Sequence, residues 1–178
     1  MHLQTHALAS WLLAEAGPAS MARRDRVLVL AAGLVPDLDA LAALGGVEAY
    51  QKWHHLLLHN IAGAAATALV CAALARARLP ALLLSLLSFH LHLLLDLLGS
   101  GGPDGSIWGI PYLVPFNAHD FSWPGQWPLG SWQNLAITAS LLLLSWAVAV
   151  KRGRTLVEAF SPRADAAVVE VLRRRWPS

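Results

Sequence analysis

Five of the chain's eight histidines fall in two short runs, His54, His55 and His59 in WHHLLLHN and His90 and His92 in FHLHLLLDLL. Two aspartates, Asp37 and Asp39, sit in GLVPDLD, and Asp96 follows His92 by four residues. All lie in otherwise apolar sequence, where a titratable group is costly and marks function. Imidazole nitrogens and carboxylate oxygens are the ligands that borderline divalent ions take. His92 and Asp96 share a helix face at i,i+4 and can ligate one ion or bridge two; taken alone, the pair also fits a His–Asp hydrogen bond that neutralises a buried acid. His55 and His59 have the same spacing. His54 and His59 are about 140° apart on a regular helix, so they converge only if His54 lies at or before the helix start. His90 points away from His92 and is read as an outer or lipid-facing residue. His6 and His119 are single histidines with weak individual signals.

The elements that must position these groups are set by composition. Apolar residues make up 56% of the 178-residue chain and charged residues 13%, with a mean hydropathy of +0.50. Such a chain cannot cover a core with polar surface, so the bilayer is the expected solvent. Cys71 stands alone in an apolar run, which excludes a disulfide framework and a thiolate cluster. Four stretches approach a span's length: 27–44, 56–75, 79–98 and 135–150. Leu3 to Ala16 forms a retained short helix that adds a fifth crossing if it spans. The expected fold is all-α, a polytopic bundle of four to five short transmembrane helices plus a C-terminal amphipathic helix. Residues 1–155 form the membrane-embedded domain and 156–178 a cytoplasmic tail. In that tail Ser161 is the N-cap, Pro162 the first helical residue and Asp165 a first-turn acid. Val168, Val169 and Leu172 then form an apolar stripe before Arg173, Arg174 and Arg175, suited to anionic lipid.

Three basic clusters orient the bundle: Arg23, Arg24 and Arg26; Arg76 and Arg78; and Lys151, Arg152 and Arg154. Cytoplasmic loops collect Lys and Arg, and all three fall on one side without contradiction. The C-terminus is then cytoplasmic and residues 99–133 face outward. That segment holds Trp108, Tyr112, Phe116, Phe121, Trp123 and Trp127 and no Lys or Arg. It reads as an interfacial loop over the outer face, a lid or an anchor. Asp37, Asp39, His54, His55, His59, His92, Asp96 and His119 all fall in the outer halves or outer loops of this topology, and His6 joins them if the first helix crosses. Scattered placement would spread them over both faces.

The order of these motifs resembles the bacterial membrane-bound, metal-dependent hydrolase family (YdjM-like). Its pattern of TH-A, G-x-x-PD-x-D, HR-x-x-TH-S and H-x-x-x-D with a Gly-rich turn reads here THALA, GLVPDLD, HHLLLHN and HLLLDLLGSGG. IPYLVPF resembles its downstream segment, and the match covers roughly residues 5 to 120. That family is more distantly similar to zinc-dependent phospholipase C and single-strand-specific zinc nucleases. The resemblance implies metal ligation by His6, Asp37, Asp39, His54, His59, His92 and Asp96; beside it, His55 and His119 are additional candidates from the residues themselves. It pairs His54, rather than His55, with His59. His55 stands where the family has Arg, and Leu58 and Asn60 replace Thr and Ser.

The expected protein is therefore a hydrolase of the bacterial inner membrane, its site facing outward. It cleaves a phosphoester, lipid-derived or other, with one or more divalent ions, Zn2+ foremost, activating water and polarising the phosphoryl oxygen. Asp37 or Asp39 is the expected general base or bridging ligand. Membrane lipids are the expected partners, with no nucleic-acid partner and no haem. One rival is a transport or sensing protein that binds the metal without catalysis. A bis-His haem protein ranks below it, because it leaves Asp37, Asp39 and Asp96 without a role.

Overall fold

The computed structural model describes residues 1–176 and places them in helices, with no strand among the described residues. The elements in order are α1 (Leu3–Ala16), α2 (Arg23–Ala32), a 3-10 segment (Pro36–Gly45), α3 (Val47–Trp53), α4 (Ile61–Leu74), α5 (Arg78–Gly99), α6 (Trp132–Arg152), a 3-10 turn (Leu156–Ala159) and α7 (Pro162–Arg175). Residues 100–131 form the long connection, braced by isolated bridges of Gly101 with Pro128 and Ile110 with Phe121.

α5 is the central post, packing on α1, α2 and α4. Leucine runs make it helical, and Pro80 is tolerated because first-turn amides need no intrahelical acceptor. Its buried face is Ala81, Ser85, Ser88, His92, Asp96 and Gly99, small and polar residues at helical spacing. Small side chains admit close helix approach, so the polar pair His92 and Asp96 enters the bundle rather than the lipid.

The structure holds fewer crossings than the apolar runs suggest. Two helices, α5 and α6, are long and apolar enough to span, and a third crossing exists if α2 and the Pro36–Gly45 segment count as one. The expected four to five reduces to two or three. The 27–44 run is bent by 54° where Gly33 ends α2 and Pro36 opens the next segment. The 56–75 run loses its first five residues to a turn, so α4 has 14 residues, about 21 Å against a hydrocarbon core of about 30 Å. α1, also 14 residues, is equally short. The helix expected from Leu56 starts instead at Ile61, where Asn60 Oδ1 accepts from Gly63 N at 2.9 Å and Tyr112 O accepts from Ile61 N at 2.8 Å.

An ionic knot ties the opposite end of the bundle. Arg26 reaches Glu158 through two bonds of 2.8 and 2.6 Å and lies 3.1 Å from Glu15, all three buried. Arg154 adds a bond to Glu15 at 2.9 Å, and Asp25 accepts from the amides of Arg76 and Ala77. α7 begins as its sequence indicates, with Ser161 Oγ accepting from Ala164 N at 3.2 Å. Asp165, however, is buried and accepts from Thr155 N and Oγ1 at 2.7 and 2.6 Å. Val169 is buried with it, so α7 docks on α6 and the Leu156–Ala159 turn. The last two residues of the expected tail, Pro177 and Ser178, lie outside the described residues.

Candidate metal centre

The site is assembled where α2 and α5 end and α4 begins. On α5 the i,i+4 pair meets as its spacing indicates, His92 Nε2 lying 2.9 Å from Asp96 Oδ2. His92 Nδ1 donates to the Gly33 carbonyl at 2.8 Å, which turns its Nε2 lone pair inward. The turn before α4 delivers His59, whose Nδ1 donates to Asp39 Oδ2 at 2.9 Å. Its Nε2 lies 3.3 Å from His92 Nε2 and 3.4 Å from Asp96 Oδ2. Asp37 Oδ1, from the bent segment, stands 3.6 Å from His92 Nε2.

These four residues present ligand atoms that all lie within 4.8 Å of one another. An ion bound at about 2.0–2.1 Å by four tetrahedral ligands separates them by about 3.3–3.4 Å. Four of the six separations, from 2.9 to 3.6 Å, bracket that value. With both Nδ1 atoms donating elsewhere, two imidazole lone pairs and a carboxylate oxygen converge. Asp96 Oδ2 is buried and has no hydrogen-bond donor. A proton on one Nε2 would relieve one edge of this set, whereas a divalent cation satisfies all four atoms. Asp37, His59, His92 and Asp96 therefore fit a metal ion, with no preference for its identity beyond the N/O donor set.

Asp39, His54 and His59 form a second grouping. His54 Nδ1 meets Asp39 Oδ1 at 2.7 Å, so both oxygens of this buried carboxylate hold imidazoles. His59 cannot offer Nδ1 to a second ion while donating it to Asp39. The geometry gives Asp39 the part of orienting His59 and His54. His6, on α1, stacks on His92 with centroids 3.7 Å apart and bonds Asp96 Oδ1 through Nε2 at 3.2 Å. That same oxygen accepts from Ser100 Oγ at 2.7 Å and is touched by the Met1 amino group.

His54 and His55 do not lie on one helix with His59. α3, which lies between the 27–44 and 56–75 runs, ends at Trp53, and His54 is its C-cap. His55 then takes a φ of +70°, in the left-handed region that few non-glycine residues enter. The turn separates the two neighbours: His54 goes to Asp39, while His55 packs on Trp108 with centroids 5.4 Å apart. His55 is buried, Nδ1 lacks a partner, and burial pushes the imidazole down to about 3, so it is neutral at neutral pH. A cavity of about 280 Å3 is lined by His54, His55, Trp108 and Gly109. Another of about 140 Å3 reaches Asp37, Tyr50, His54, His55, Asp96 and Trp108.

His119 is exposed, rests against Phe121 at 5.0 Å and joins neither grouping. His90 donates from Nδ1 to Leu86 O and accepts from Tyr112 Oη, both at 2.7 Å, away from the cluster. Sequence reasoning missed the Gly33 carbonyl, Ser100, Tyr50 and the specific place of Trp108. A backbone acceptor leaves no residue-type signal, and Trp108 was one of several aromatics in its loop.

Among known proteins, the family model described as YdjM inner membrane protein matches residues 1–175. No curated protein and no solved structure matches, and the wider likeness to phospholipase C and zinc nucleases finds no support. A match over nearly the whole length, on apolar helices that fit a membrane, identifies the chain as a member of the YdjM inner membrane protein family.

Proposed function

We propose that this protein is a membrane-bound, metal-dependent hydrolase that cleaves a phosphoester bond. The observation that carries the reading is that Asp37 and Asp96 belong to the ligand set and also line the 140 Å3 cavity. A structural metal site is closed on all sides by protein, whereas a catalytic one keeps an open position. His59, His92 and Asp96, 0%, 0% and 2% exposed, would be the three protein ligands, and the fourth position would open to water on the side of Asp37, whose side chain is 21% exposed. A divalent ion held there, Zn2+ foremost, would supply Lewis acidity to activate water and polarise an ester oxygen.

The side chains then have separate tasks. Asp39 fixes the tautomer of His59, and Gly33 does the same for His92. Asp37, not engaged in a bond to a neighbouring amide, is placed to take a proton from the attacking water. His55 and Trp108 form the opposite wall, where an ester substituent rests. The clusters of Arg and Lys support a cytoplasmic position for the opposite end and an outward-facing site. The same ligands in a transport or sensing protein would bind metal without turnover.

The test is turnover of bis(4-nitrophenyl) phosphate by purified protein in detergent. Hydrolysis abolished by chelation and by His92→Ala, and restored to the chelated wild type by Zn2+ or Mn2+, is the expected result. Metal binding with no hydrolysis of this or other phosphoesters would favour the transport or sensing reading.

A further inference from the structure

One stripe of α5 continues from the bilayer to the metal centre. Leu83, Leu87, His90, Leu94 and Leu97 recur at helical spacing. Leu83, Leu87 and Leu94 are 56%, 53% and 52% exposed, as side chains facing lipid are on a span. Toward the His92–Asp96 end the stripe acquires a second wall. Ile110, Tyr112 and Phe121 stand beside His90, Leu93, Leu94 and Leu97 and enclose a groove of about 230 Å3. The polar atoms of His90 and Tyr112 are bonded to each other, and His90 Nδ1 to Leu86 O, so what the groove offers is hydrocarbon surface. Its wall is shared with the site: Ile110 lines the groove, and the preceding Gly109 lines the cavity with His54, His55 and Trp108.

Charge selects the same kind of ligand. Of the 13 Lys and Arg, only Lys52 falls between residues 27 and 75, and none between 79 and 150. The end of the bundle that carries the metal centre thus has almost no cation to receive a polyanion such as a nucleotide or nucleic acid. Phe116, Trp123 and Trp132 are exposed around it, as aromatics are at the headgroup level.

The geometry points to a bilayer phospholipid as the substrate, with one acyl chain in the groove between α5 and residues 110–121 and its phosphoester at Asp37, His55 and Asp96. This rests on the hydrolytic reading above. In the reaction, water supplies a hydroxyl to phosphorus, the P–O bond to the leaving alcohol breaks, and the alcohol oxygen takes the remaining proton. The acyl chain stays in hydrocarbon throughout, so the lipid need not leave the membrane.

The experiment reconstitutes the full chain in phosphatidylcholine vesicles doped with a phosphatidylcholine carrying a diazirine in its acyl chain. After photolysis, labelled peptides are mapped. Labels concentrated on Leu94, Leu97, Ile110 and Phe121 are expected, and Leu94→Trp, which fills the groove, should cut them about fivefold while Leu83→Trp does not. In parallel, Leu94→Trp should lower the ratio of kcat/KM for a long-chain phosphodiester to that for bis(4-nitrophenyl) phosphate by about tenfold. Labelling spread evenly along Leu83, Leu87 and Leu94 without Ile110 or Phe121 would overturn the lipid seat. Turnover of the soluble ester with no groove labelling overturns the seat and leaves hydrolysis standing. Groove labelling with no turnover of either ester supports the seat and removes the hydrolytic reading.

Discussion

Replacing His92 or Asp96 by alanine removes one of four converging ligand atoms and should abolish stable metal retention. His90→Ala, two residues away but bonded to Tyr112, should keep the metal. Equal loss from all three, measured by metal content after gel filtration, would show that the helical face does not define the site. Asp39→Asn leaves all four atoms of the set in place but weakens the grip on His59, so metal affinity should fall about 10–100-fold. His54→Ala frees one oxygen of Asp39 and should weaken metal and activity together. His55→Ala should lower activity with metal largely retained, because His55 faces the cavity and not the ion. Metal lost only in His55→Ala would reverse this assignment. The His92–Asp96 contact was legible in sequence because both residues sit within one regular helix, where i,i+4 fixes proximity. The relation of His54, His55 and His59 was not, because that rule fails once the backbone leaves the helix at His54 and His55 adopts a positive φ.

Two short elements hold the ligands in register. Gly33 ends α2, carries the carbonyl that orients His92, and packs where a Cβ would run into the side chains of Ser10 and Ser88. Gly33→Ala should therefore move that carbonyl and lower metal affinity about tenfold or more, with helix content by circular dichroism nearly unchanged. Retained wild-type affinity would mean that the carbonyl does not orient the ring. Asn60 caps α4, and its Nδ2 donates to Leu56 O and Leu57 O at 3.1 and 3.0 Å, closing the turn that delivers His59. Asn60→Ala should cost about 0.5–2 kcal/mol of stability in a denaturation assay; a change within error would contradict the capping role. Hydropathy marked where apolar sequence lay but not where it breaks. Gly33 with Pro36, and the turn over residues 54–60, shorten two apparent spans, and those breaks let Asp37, Asp39 and His59 reach α5. The all-helical class and the C-terminal helix from Pro162 were readable from leucine patterning and from the Ser–Pro start. The burial of Asp165 was not, since its partner Thr155 sits across a turn.

For the whole molecule, the two ends of the bundle differ, with the candidate metal ligands at one and a knot of Glu15, Arg26, Glu158 and Arg154 at the other. Breaking a buried ion pair from one side strands its partner, so Glu158→Ala should destabilise the fold by about 3–5 kcal/mol and loosen the segment after α6. Thermal unfolding in detergent that matches wild type would show the knot to be dispensable. Orientation is tested with single cysteines in a Cys71→Ala background. An impermeant maleimide on intact cells should modify Ser106→Cys and spare Ala167→Cys, and the reverse pattern would invert the bundle. The central claim, that these His and Asp residues form a metal centre, is tested most directly by the divalent metal content of purified protein. Close to one ion per chain in wild type and in His90→Ala, and none in His92→Ala or Asp96→Ala, is the expected result. Protein that folds and purifies without metal, and gains none on dialysis against Zn2+ or Mn2+, would contradict it.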